Sequence, residues 1–132
     1  MNKFLMVIYS TLLFFILSCS TKGYKRGGEL YEAYCSDCHM SDGSGLEGLY
    51  PPINDSDYIK KHKLDLVCII RYGFEKDIMV KGKSYNQKMN GFPKIAESDI
   101  ANIVNYINFK FLNNKKYVNI NQIKEALSKC EK

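Results

Sequence analysis

Tryptophan is absent from this chain of 132 residues, and histidine and proline are scarce, with two and three copies. So few imidazoles exclude a histidine-rich metal centre, and so few prolines exclude a proline-rich linker. No apolar run approaches the roughly 20 residues that a membrane-crossing helix needs. The formal charge is +5, yet no dense Lys/Arg stripe with interleaved aromatics accompanies it, so nucleic acid is not an expected partner. A mildly basic surface of this kind suits an acidic protein patch or is simply a solvated exterior.

What the chain does have is Cys35-Ser36-Asp37-Cys38-His39. A Cys-x-x-Cys-His run behind an export signal is the attachment pattern of a c-type haem. The two thiols add across the porphyrin vinyl groups, and the histidine turns its imidazole onto one axial face of the iron. Two plainer readings compete with it. A closed zinc site needs two further thiolates or imidazoles at ligand spacing, whereas His62, Cys68 and Cys130 are scattered. A thioredoxin-like dithiol needs alternating strands and helices around it, and few strand-like runs are visible.

The export signal is the start of the chain. Lys3 precedes the apolar run Phe4 to Leu17, which Ser18-Cys19-Ser20 closes, the layout of a secretory leader. Ile16-Leu17-Ser18-Cys19 resembles a bacterial lipobox, in which cleavage precedes the cysteine and its thiol takes a diacylglycerol. The alternative is an ordinary cleaved leader with an incidental Cys19. Acyl chains contribute about 0.8 kcal/mol per buried methylene, so a triacylated Cys19 holds a protein on a membrane surface. The expected organisation is a signal over residues 1–18, a polar tether over 19–26, a domain over 27–109 and an extension over 110–132.

Within the domain, Glu29 to Tyr34 are mostly good helix formers. Gly27, Tyr31 and Cys35 recur at spacing four, on one helical face. Glycines and prolines then make a loop of Met40 to Ile53. The carbonyl of Pro51, twelve residues past His39, is the candidate acceptor for the ring N–H of that histidine, a bond that orients an axial imidazole. Leu64 to Tyr72 reads as a helix closed by Gly73, with Leu64, Val67 and Cys68 on its buried face. His62, among Lys60, Lys61 and Lys63, reads as a surface residue. Ser98 is the expected cap of a last core helix, in which Ile100, Ile103, Val104 and Ile107 share one face. Asn119 to Gln122 opens a capped helix bearing Ile120, Ile123, Leu127 and Cys130 on one side. If that side meets the Cys68 helix, a disulfide is within reach in an oxidising compartment; two separate thiols are the alternative.

At this point the chain resembles a small class I cytochrome c of the bacterial periplasmic type. The likeness rests on Gly27, Tyr31, Cys35, Cys38 and His39, on Pro51 to Ile53, and on the closing stretch Ile103-Val104-Asn105-Tyr106-Ile107, and it spans Gly27 to Phe109. It implies an all-α cytochrome c fold of three to five helices around one covalent haem c, with Tyr106 packed on Gly27. It also implies an axial methionine in a loop before the last helix. Met89 fits that place, although Asn90 stands where the family commonly has proline; Met79, in Ile78-Met79-Val80, reads as wall packing and is the other candidate. Tyr85, four residues before Met89, is a candidate contact for a haem propionate or else simply packs.

The expected function is that of a lipid-anchored electron carrier on the periplasmic face of a bacterial membrane. The resemblance implies redox partners such as a bc-type complex, a terminal oxidase or a reductase. Two alternatives stand beside it: a haem subunit of a larger oxidase or reductase, and a small-molecule-binding haem enzyme with a displaceable methionine. No distal His and Arg pair is evident for the last.

Overall fold

Two helices cross on a glycine, and the rest of the chain is arranged around that crossing. The computed structural model describes residues 22–130; the signal, Cys19 and the residues up to 21 lie outside the described residues. Helix α1 covers Lys22–Tyr34 and α5 covers Glu97–Phe111. Where they meet, Gly27 packs against the backbone of Asn102 and the Cβ of Tyr106. Tyr31, one turn on, is fully buried between Tyr106 and Phe111, with ring centroids 5.5 and 5.1 Å away. Its hydroxyl donates to the carbonyl of Met40 at 2.8 Å, so the same side chain that locks the helix pair also holds the end of the cysteine segment.

Between these helices lie α2 (Ser36–His39), α3 (Asp57–Lys61), α4 (Asp65–Tyr72), and strands β1 (Gly73–Phe74), β2 (Ile78–Val80), β3 (Lys83–Tyr85) and β4 (Met89–Asn90). The last helix, α6, covers Ile120–Ser128. Strand β1 pairs antiparallel with β4, Gly73 opposite Asn90 and Phe74 opposite Met89. Strand β2 pairs antiparallel with β3, Ile78 opposite Tyr85. The core joins α1, α4, α5 and α6: Ile100, Ile103 and Ile123 are fully buried, as is nearly all of Val67.

The extension is folded onto the domain. Asn105 of α5 is buried, and its amide grips Val118 from both sides, donating to the Val118 carbonyl at 2.9 Å and accepting from its N–H at 2.8 Å. Asn119 and Gln122 then form a reciprocal capping box that starts α6. Ile123 and Ala126 are the buried residues of this helix, and Cys130 just beyond it is joined to Cys68 of α4 by a disulfide, Cα to Cα 5.6 Å.

Several sequence expectations are corrected. The fold is mainly helical but not all-α, since two short antiparallel ribbons are present, and the described residues hold six helices rather than three to five. The first helix begins at Lys22, inside the expected 19–26 tether, and Arg26 reaches Asp99 across the crossing at 3.5 Å. The cap of α5 is Ala96, not Ser98; its carbonyl accepts from Asp99 and Ile100 at 3.0 Å, which places Ser98 inside the first turn. Leu64 precedes α4 and is 57% exposed, because the helix turns its Leu66, Val67 and Ile70 face inward instead.

Candidate haem site

The cysteine segment is built as a helical turn hung from α1. Cys35 N–H donates to the Tyr31 carbonyl at 2.8 Å, and His39 N–H donates to the Cys35 carbonyl at 2.9 Å. Residues three apart on such a turn project to the same side. Both Cys35 and Cys38 are therefore presented together, and neither is in a disulfide. Cys35 is buried, and that burial, aided by Cys38 beside it, pushes its thiol up to about 12. Met40, at φ 61, ends the turn.

The loop after it is folded to bring one carbonyl to His39. Gly45 N–H donates to the His39 carbonyl at 3.0 Å, and Leu46 and Tyr50 form a bridge that closes the loop. Gly45 sits at φ +68, with no room for a Cβ, which would stand 2.5 Å from the Tyr50 carbonyl oxygen. The chain then delivers the Pro51 carbonyl, and His39 Nδ1 donates to it at 2.9 Å. A carbonyl only accepts, so the proton sits on Nδ1 and the lone pair on Nε2. Burial lowers the His39 pKa, with the Pro51 bond opposing it. The neutral, ligating form is the one this environment favours.

Cys35, Cys38, His39, Pro51, Tyr85 and Met89 all line one cleft of about 500 Å³. That is within the roughly 300–1,000 Å³ usual for cofactor sites. Its walls are largely apolar, with Ile53, Leu66, Ile70, Val80 and Phe92 among them. Two thiols one turn apart, an imidazole with a free Nε2, a thioether and an apolar lining match what a covalently held haem needs. Among the described residues no cluster of three or more His, Cys, Asp or Glu side chains could hold a bare metal ion instead.

The two methionines are separated by strand alternation. Ile78 and Val80 line the cleft, whereas Met79 between them points away and is 58% exposed, so it is not wall packing. Met89 is half-buried and lines the cleft; it stands on strand β4 rather than in an irregular loop. Tyr85 is buried on β3 at the cleft wall. His62 lies at the surface, stacked on Tyr58 with ring centroids 4.5 Å apart and 3.2 Å from Asp65.

Sequence reading missed what holds Met89 in place. Phe92 N–H donates to the Ile70 carbonyl at 2.9 Å, and Arg71 Nη1 donates to the Pro93 carbonyl at 2.7 Å. Gly91 lies so close to the end of α4 that a Cβ there would stand 2.4 Å from Gly73 N. A glycine at the end of α4, Gly73, and another just after Met89-Asn90, Gly91, are the trace of this in the sequence.

Comparison with known proteins supplies an independent line. Residues 23–107 match the family described as cytochrome c oxidase, cbb3-type, subunit III. One cytochrome c-552 of Thermus thermophilus is 30% identical over 101 residues, covering 74% of this chain and 68% of that protein. Another cytochrome c-552 of Thermus thermophilus is 32% identical over 85 residues, covering 61% of this chain and 64% of its own length. The fructose dehydrogenase cytochrome subunit of Gluconobacter japonicus is 27% identical over 107 residues, 76% of this chain but only 21% of the relative.

Proposed function

The chain belongs to the cytochrome c family, through the domain of the cbb3-type oxidase subunit III, with a covalently attached haem c as its cofactor, and we propose that it is a membrane-anchored monohaem carrier of single electrons. The observation that carries this reading is the single cleft lined by Cys35, Cys38 and His39 on one part of the chain and by Met89 on another. Bound there, the haem supplies a one-electron iron couple. The thiols of Cys35, between α1 and α2, and of Cys38 in α2 would hold it. His39, held in orientation by the Pro51 carbonyl, would hold the iron through Nε2.

Met89 would offer its thioether to the iron from the other part of the cleft, and a thioether in that role raises the reduction potential relative to a second imidazole. The apolar walls exclude water and act in the same direction, and Tyr85 offers its phenol at the cleft wall. With His39 and Met89 both turned to the iron, the chain would leave it no open position for a substrate, and its partners would be other redox proteins met in short contacts. Of the class I, periplasmic reading, Cys19 is the anchoring residue: its thiol takes the lipid, and the mature chain sits on the periplasmic face of a bacterial membrane.

The visible spectrum of protein matured in a host competent for haem attachment tests this reading. We expect the sharp bands of a low-spin c-type haem in the reduced state and a mass increased by one haem. Colourless protein at the mass of the bare chain would sink the proposal.

A second reading has a specific observation behind it. One relative is a cytochrome subunit of a dehydrogenase, and the matching family is named for an oxidase subunit. In that reading the chain passes electrons within a stable complex rather than by diffusion. Purification from native membranes separates the two: a complex of fixed composition supports the subunit, and release as a lone chain supports the free carrier.

A further inference from the structure

The match to the family ends at residue 107, yet the chain folds a further helix, α6, against the domain and bonds Cys130 beyond it to Cys68 of α4. Helix α4 is eight residues long, about two turns, and helices this short have little stability of their own. Its C-terminal end is also where the Met89 segment is held. Among the described residues, the hydrogen bonds that tie residues 89–93 to another element all end on residues 70–74: Ile70 to Phe92, Arg71 to Pro93, and the β1–β4 pair. Gly73 and Gly91 let the two backbones approach more closely than any Cβ would allow, with the Met89 carbonyl oxygen 2.4 Å from the place of a Cβ on Gly73.

We propose that the Cys68–Cys130 disulfide, with Arg71, is a positioning device for Met89. The extension grips α4 through the disulfide; the end of α4 grips residues 89–93; and the thioether is thereby held at its place in the cleft. This rests on the reading of Met89 as an axial ligand. A bound methionine and a detached one are two states in equilibrium, and any loosening of α4 raises the detached population. A foreign ligand that binds only the detached state then binds more tightly in proportion. The positioning residues are Cys68, Cys130 and Arg71, none of which lies against the iron in this reading.

The test is an imidazole titration of the oxidised, haem-loaded protein, followed by loss of the near-infrared methionine-to-iron band. Replacing both cysteines, Cys68→Ser with Cys130→Ser, removes the bridge without a reductant that would also reduce the haem. We expect about tenfold tighter apparent imidazole binding, corresponding to a tenfold larger detached population. Arg71→Gln, which leaves the disulfide and the core intact, should move the affinity in the same direction, and Arg71→Lys should restore most of it. Affinities within twofold of the unsubstituted protein in both variants, even with a lower melting temperature, would overturn the inference, because the bridge would then act on global stability alone. If the unsubstituted protein has no methionine band, the ligand reading of Met89 fails and this inference with it.

Discussion

Gly27 lies directly beneath Tyr106: a Cβ on the glycine would stand 2.8 Å from the Tyr106 Cβ and 2.4 Å from the Asn102 carbonyl oxygen. Backbone and Cβ atoms cannot swing aside as the tip of a side chain can. Gly27→Ala must therefore push α1 and α5 apart. Overpacking of this kind costs about 1–3 kcal/mol, and the gain in helix propensity returns only about 1 kcal/mol. The variant should lose stability in denaturant unfolding; an unchanged or raised midpoint would show that the helices are not in this contact.

The methionines give a sharper contrast. Met89 lines the cleft and Met79 is 58% exposed. Met89→Ala should abolish the near-infrared band of the oxidised protein and lower its reduction potential, while Met79→Ala leaves both as they were. The opposite pattern would transfer the ligand role to Met79.

Tyr31 combines a buried ring with one hydrogen bond, to the Met40 carbonyl at 2.8 Å. Tyr31→Phe keeps the ring and removes the bond, at a cost of about 1 kcal/mol. Thermal unfolding should register this as a small downward shift. A gain in stability would mean that the hydroxyl is not bonded as described.

Cys19 carries the prediction for the cell. Cys19→Ala should move the protein from the membrane fraction to the soluble periplasmic fraction and remove the lipid mass. Persistent membrane association of the variant would end the lipoprotein reading.

How much of this could be read in the amino acids differs from element to element. The crossing of α1 and α5 was legible because Gly27, Tyr31 and Cys35 repeat at helical spacing and Ile100, Ile103, Val104 and Ile107 answer them on one face. The capping box at Asn119 and Gln122 is likewise a local pattern with a local cause. The His39 to Pro51 contact joins residues along one glycine-broken loop, short enough to count across. The ribbons were not legible. Strands of two or three residues carry almost no periodic signal, and β1 and β4 exist because Gly73 and Gly91 permit a backbone approach between segments distant in the chain. The start of α5 was misplaced for a related reason: Ala96 caps without a side-chain bond, so composition pointed to Ser98.

The sulfur atoms of the described residues carry one more consequence, for assembly. Four cysteines can be joined in three ways, and the structure uses one bond of one of them, Cys68 with Cys130, with Cys35 and Cys38 outside any disulfide. An oxidising compartment favours closing all four, and Cys35 and Cys38 are the pair nearest in sequence. A chain matured in such a compartment needs the two pairs treated oppositely, the neighbours reduced for thioether formation and the long-range bridge spared. The fold separates the tasks: one pair lines the cleft, and the other joins a core helix to the segment after α6.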